Sequence, residues 1–314
     1  MFVPNNRPVV DFNIGFESQW QITLTDAKTG KVKMQLPWHK NTILDAGLNL
    51  RLTSSLAFLL NSIPYLFTYI AIGTGNTAPA TTDTTLETEV SRKIYNSSLT
   101  TYSFATAAEP YFIVGSQWGT SEGNGDLKEV GLCSASVGGT FWNRNLFRDE
   151  GGSPITVTKT TSDILTVLCK TIIKRASDTP YEVTLDGRTV KGLILNAGLQ
   201  NAVRTTFSQS HWWITNHTLK AGTSNSDPAA AQTTILGTSL GTSESVVWSS
   251  AVTGPPDFYR EGVFTFLSYQ GNGNIGEVTD ISKPMQARHT FDSVIAKTDS
   301  QQLSLTVRYS LSRV

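Results

Sequence analysis

The sequence predicts a mainly β protein built from two tandem, duplicated β-sandwich domains, each with one short helix near its start, preceded by an N-terminal arm and a hairpin. Three observations carry that expectation: abundant Thr, Ser, Gly and Asn, runs that alternate apolar and polar residues, and four sequence blocks that return in the same order. β-Branched Thr suits a pleated surface, whereas Gly and Asn suit tight reversals. A chain of 314 residues exceeds the usual single domain and has room for two.

Residues 1–13, with Pro4, Pro8 and paired Asn5 and Asn6, read as an extended arm, either disordered or ordered only against a neighbouring subunit. A first domain is expected over residues 14–175. It opens on a hairpin at 20–36, WQITLTDAKTGKVKMQL, two alternating runs around Asp26-Ala27-Lys28-Thr29-Gly30. ILDAGL at Ile43–Leu48 then starts a helix, with Asp45 as its cap and Leu48, Leu52, Leu56 and Leu59 at helical spacing. The most apolar stretch, Leu56–Ile72, is interrupted by Asn61, Ser62 and Pro64. A membrane-spanning helix needs about 20 unbroken apolar residues, so this stretch is read as core and no membrane partner is expected.

Gly73-Thr74-Gly75-Asn76 is a turn, because no Gly-Lys-Ser/Thr follows to make a phosphate cradle. Asn-Gly at 124–125 permits successive positive φ angles and reads as a hairpin reversal. Ile164–Ile173 closes the domain as a strand with Val167, Cys169 and Thr171 on one face. A linker is placed at 176–180, and the second domain at 181–314. That domain begins with a hairpin at Tyr181–Val190 turning on Asp186-Gly187, and a helix capped by Asn196 and carrying Leu199, Val203 and Phe207. It ends on Leu303–Leu311, which alternates for nine residues.

The duplication rests on four pairs of blocks. ILDAGL at 43–48 returns as ILNAGL at 194–199, and AIGTGNTAP at 71–79 as KAGTSNSDP at 220–228. GNGDLKEV at 123–130 returns as GNGNIGEV at 271–278, and VTKT at 157–160 as IAKT at 295–298. The offset drifts from 151 to 138 residues, and the drift falls between blocks, where loops tolerate insertion.

Twenty-five basic and 25 acidic residues cancel without long runs of one sign, so no nucleic-acid partner is expected. The start lacks a basic region followed by an apolar stretch, which points to synthesis into a cytoplasm and to reduced, buried Cys133 and Cys169. His39, His211, His217 and His289 have no partners at ligand spacing, so no metal is expected. Glu87/Glu89 and Asp149/Glu150 lie in Thr-rich and Gly-rich contexts suited to solvated charge, and no nucleophile elbow is present. The expectation is a protein with no catalytic residue and no cofactor. Seven tryptophans remain, of which Trp118, Trp212 and Trp213 are the candidate interface residues, with adjacent Trp212 and Trp213 also a stacking platform for sugar.

The blocks resemble a family of tailed-bacteriophage virion proteins. The resemblance lies in the Asp26–Gly30 turn, Asn41–Leu48, Ile70–Gly75 with Ala78-Pro79 and Asp83–Leu86, Lys128–Leu132, and Lys159–Asp163, and covers most of residues 20–175. The second copy departs from it: Ser224 replaces the second Gly of Gly-x-Gly, and Thr279-Asp280 follow Glu277-Val278. The resemblance implies a non-enzymatic structural component of the tail, collar or baseplate, or an anchor for fibres. Head-surface decoration and a receptor-binding, glycan-binding fibre-type role are the alternatives. The implied location is the virion, assembled in the host cytoplasm. The implied partners are other virion proteins, further copies of the chain and, for the receptor-binding alternative, host surface glycan. Three chains with two similar domains each would present six quasi-equivalent faces, which suits a trimer or pseudo-sixfold ring.

Overall fold

A computed structural model describes residues 10–53, 66–103, 111–175, 180–185, 188–194, 219–224, 237–244, 247–248, 252–255, 257–280 and 287–314. The fold is mainly β with several sheets. The chain divides into two units. The first is Gly15–Lys174 with Thr253–Pro256 and Ser312–Val314; the second joins Arg175–Val252 and Asp257–Leu311 to the segment ending at Ile14.

The first half of the chain supplies β1 (Val10–Asp26), β2 (Val32–Gln35), β3 (His39–Lys40), β4 (Thr42–Ile43), α1 (Asp45–Thr53), β5 (Tyr69–Gly73) and β6 (Glu89–Ile94). It continues with β7 (Thr101–Ser103), β8 (Tyr111–Trp118), β9 (Gly125–Leu127), β10 (Glu129–Cys133), β11 (Phe141–Leu146), β12 (Val157–Lys159) and β13 (Asp163–Arg175). One sheet of the first unit runs β1-β13-β8-β7, with β2 and β3 on β1, and a second runs β4-β11-β10-β5-β6. Asp26 Oδ1 accepts from the backbone N–H groups of Lys28 and Thr29, which fixes the turn between β1 and β2.

Alternation puts Phe16, Trp20, Ile22 and Leu24 of β1 on the inner face with Val167 and Cys169 of β13. Asn143 Nδ2 of β11 donates to Ser18 Oγ of β1 at 2.8 Å, and Trp118 Nε1 of β8 donates to Ser91 Oγ of β6 at 2.9 Å. These contacts join the two sheets face to face as a sandwich. Phe16 meets Trp142 edge-on at 5.4 Å between ring centroids inside it.

Leu48 and Leu52 of α1 are buried, while Leu56 and Leu59 lie outside the described residues. Gly47 explains the recurring AGL block: a Cβ there would stand 2.7 Å from Trp142 Cα, so the helix approaches β11 only without a side chain. Asp45, expected as a cap, pairs instead with the Arg313 guanidinium, because Ser312–Val314 belong to this unit.

The second half supplies β14 (Pro180–Leu185), β15 (Arg188–Ile194), β16 (Leu219–Gly222), β17 (Ser239–Thr242), β18 (Val247–Trp248) and β19 (Val252–Gly254). It ends with β20 (Asp257–Phe266), β21 (Gly273–Asp280), β22 (Ala287–Lys297) and β23 (Leu303–Arg313). Here one sheet runs β14-β15-β22-β21-β16-β17, and β18-β20-β23 are neighbours in another. Leu185 pairs with Arg188, so β14 and β15 are joined across the two positions of Asp186-Gly187. Pro180, read as the end of the linker, is the first residue of β14. The other linker positions, 176–179, the second helix and residues 1–9 of the arm lie outside the described residues, and Val10 to Asn13 belong to β1.

One local reading is corrected. Gly123-Asn124-Gly125 and Gly271-Asn272-Gly273 do turn, with Gly123 at φ 55° and Gly271 at φ 63°. They are not hairpin reversals: β8 pairs with β13 and β7, whereas β9 pairs with β12, so the turn carries the chain between ladders. The second does the same between β20 and β21. Asn-Gly chemistry supplies the positive φ that both uses need; partner strands elsewhere in the chain choose between them.

Candidate functional site

The glutamate and the lysine that recur in the repeated blocks are buried, and their partners define well-formed polar sites among the described residues. Glu129 starts β10 and is fully buried. Its Oε1 accepts from Thr88 N at 2.7 Å and Gly75 N at 3.1 Å, and its Oε2 from Glu87 N at 3.0 Å and Arg144 Nε at 2.9 Å. Arg144 on the neighbouring β11 also donates to Asp83 Oδ2 at 2.6 Å and to the Thr77 carbonyl at 3.0 Å. One carboxylate and one guanidinium thus clamp both ends and the middle of the loop between β5 and β6. A charge is tolerated in such a place only when paired and fully hydrogen-bonded, and both conditions are met.

Glu277 of β21, also fully buried, occupies the matching place in the second unit: its Oε1 accepts from Gly237 N at 2.7 Å and Ser224 N at 3.3 Å. The registers match as well. Gly73 lies opposite Glu129, and Gly222 opposite Glu277. On their other edges the same two strands bulge at that point, β5 against β6 between Ile72 and Gly73 and β16 against β17 between Ala221 and Gly222.

A buried lysine closes the other block. Lys159 Nζ, at the end of β12, donates to the Gly119 carbonyl and to Asn124 Oδ1, each at 2.7 Å. Lys297 Nζ donates to the Leu267 carbonyl and to Asn272 Oδ1, again each at 2.7 Å. Lys159 lies opposite Gly125 as Lys297 lies opposite Gly273, and Trp118 opposite Leu165 as Phe266 opposite Leu303. Burial lowers the pKa of both amines.

The units differ in the acids around these lysines. Glu122 accepts from Gly119 N at 2.8 Å, where Gln270 accepts from Leu267 N at 2.9 Å. Asp163 accepts from Thr160 N, where Gln301 accepts from Thr298 N. Hydrogen bonds from Lys33 Nζ, at 2.6 Å, and from Thr160 hold the Asp163 carboxyl down at about 2, against an ordinary 3.8. A carboxylate with a depressed folded-state pKa stabilises the fold above its unfolded pKa, and that contribution disappears as pH falls through the folded value. Asp163→Asn is therefore expected to flatten the acid limb of first-unit stability between 3.8 and about 2. Acid titration followed by tryptophan fluorescence measures this, and an unchanged limb refutes the assignment.

The remaining candidates fall as follows. Trp118 is fully buried and hydrogen-bonded, so its ring fills the core and offers no surface to a partner. Trp212 and Trp213 lie outside the described residues, as do His211 and His217. Cys133 and Cys169 are free and buried, and burial pushes their thiols up to about 12 and about 11. Glu89 pairs with Arg92, Glu87 accepts from Thr77 N, and Asp149 accepts from Ser153 N, so neither proposed carboxylate pair converges on a shared point. Among the described residues no His, Cys, Asp and Glu group is arranged to hold a metal, and no helix is long and apolar enough to cross a membrane.

Single-residue inspection missed Glu129, Arg144 and Lys159. The signal for Glu129 and Lys159 was recurrence, since Glu and Lys return at the same places in blocks otherwise made of turn and strand residues, whereas Arg144 lies in no repeated block. No family model, curated protein or solved structure matches the chain.

Proposed function

We propose that the chain is a structural component of a tailed-phage virion, present in several copies in the tail, collar or baseplate region or where fibres attach. The observation that carries this reading is the use made of the residues behind the resemblance. Gly75, Asp83, Glu129, Lys159 and Asp163 all bind other parts of the same chain, holding loops and turns in place. A protein whose motif charges are consumed in this way presents a rigid surface rather than a reactive centre, and such surfaces serve assembly.

The same reading takes the two units as copies of one ancestral domain. Its support is the matched registers and the matched Glu and Lys contacts. Insertion accounts for part of the drift: eleven positions separate Leu146 from Val157, each paired into its ladder, but only five separate Thr290 from Ile295.

Mass spectrometry of purified particles, separated into heads and tails, tests the proposal. The chain is expected in the tail fraction at several copies per particle, and its absence from both fractions refutes the reading. Native mass spectrometry of the isolated chain is expected to give a closed oligomer; a lone protomer at all concentrations removes the ring.

A further inference from the structure

The turns built on Gly123-Asn124-Gly125 and Gly271-Asn272-Gly273 each close around a buried lysine ammonium group. We propose that the second of these turns is a binding site for a small primary ammonium ion, which the Lys297 side chain fills with its own Nζ and which a free ligand of that class enters when the side chain is cut short.

The lining is made of neutral oxygens. Lys297 Nζ donates to the Leu267 carbonyl and to Asn272 Oδ1, each at 2.7 Å, and the carbonyls of Ser268 and Thr298 lie at 3.4 and 3.5 Å. An ammonium group has three N–H donors and no acceptor, so a ring of acceptors alone suits it. Uncharged oxygens of this kind replace the hydration shell of a monovalent cation, whereas a divalent ion calls for carboxylate ligands. Asp299 is the carboxylate whose charge acts on Lys297, and it favours a cation here.

Two observations place the preference in the lining rather than in the tether. The first is what the two units share. Lys159 Nζ meets the Gly119 carbonyl and Asn124 Oδ1 at the same 2.7 Å, yet Glu122 and Asp163 stand where the second unit has Gln270 and Gln301. The acids change between the units; the cation and its two short contacts do not. The second is that the turn holds its shape by bonds that leave the lysine out. Gln270 N donates to the Leu267 carbonyl at 2.9 Å, Gln270 Oε1 accepts from Leu267 N at 2.9 Å, and Gly271 sits at φ 63°. The acceptors therefore stay converged when the ammonium is removed, and a site already arranged for its ligand loses little on binding it.

Lys297 is 3% exposed, so cutting it back to alanine leaves an enclosed space in the shape of Cγ, Cδ, Cε and Nζ, with acceptor oxygens at its far end. Buried acceptors without a donor are costly, which supplies the drive for a ligand to enter. Propylammonium consists of the same three carbons and one nitrogen.

Calorimetric unfolding of the full-length Lys297→Ala chain, in propylammonium chloride and in tetramethylammonium chloride at equal ionic strength, tests the site. Tetramethylammonium carries the same charge but has no N–H to donate. Propylammonium is expected to raise the midpoint of the second-unit transition by on the order of 5 °C over tetramethylammonium, and by more as its concentration grows, as a ligand bound only by the folded state does. The wild-type chain, with the site filled by its own side chain, is expected to show no such difference. Should Lys297→Ala not fold in tetramethylammonium, propylammonium is expected to restore the transition, and a second unit that stays unfolded in both salts overturns the proposal. Equal midpoints of the variant in the two salts overturn it as well, as does a rise in the wild-type chain as large as in the variant.

Discussion

Replacing Glu129 by glutamine is expected to destabilise the first unit by about 3 kcal/mol, the low end of the cost of breaking a buried ion pair. The substitution changes shape little. It sets an amide NH2 among the donors Gly75 N, Glu87 N, Thr88 N and Arg144 Nε, and removes the charge facing Arg144. Asp83 keeps part of the guanidinium paired, which is why the low end applies. For a unit of this size the loss lowers the unfolding midpoint by on the order of 10 °C. Thermal unfolding read by tryptophan fluorescence measures it, and because two units are present the record is analysed as two transitions. A shift of the first-unit transition below about 1 kcal/mol would show that the clamp is dispensable.

Trp118→Ala should cost about 3–5 kcal/mol, the range for emptying a buried aromatic site. The ring is fully buried, and its indole N–H donates to Ser91 Oγ. Trp118→Phe is expected to be far milder, about 1–2 kcal/mol, for a lost hydrogen bond and a small void. The second unit already holds Phe266 at the corresponding register position, fully buried opposite Leu303. Urea unfolding of both variants measures the contrast. If Trp118→Ala left stability intact but weakened assembly, the residue would belong to an interface after all.

Local pattern was enough to recognise several elements. The Asp26–Gly30 turn needs only its own side chains, since Asp26 Oδ1 bonds within three residues. The alternation of Leu303–Leu311 survives as β23, with Leu305 and Leu311 buried and Ser304 exposed. Val167, Cys169 and Thr171 face inward together, as their spacing requires. Asn124-Gly125 shows where such reasoning stops. Its backbone angles follow from residue type, but whether the chain folds back on its own strand or crosses to another ladder depends on β12, some thirty residues away.

By itself, then, the sequence determined the mainly β class, the turns, the inward faces of the strands and the places where the same block is used twice. Each of these follows from backbone preference or side-chain period over fewer than about ten residues. Only the tertiary structure decided which charges are buried and what they hold. Arg144, fifteen residues beyond Glu129, meets Asp83, sixty-one residues before it, because three segments converge beside the β10-β11 ladder. The free energy of a buried charge depends on that convergence, on desolvation and on the partners supplied, and no local window contains the partners.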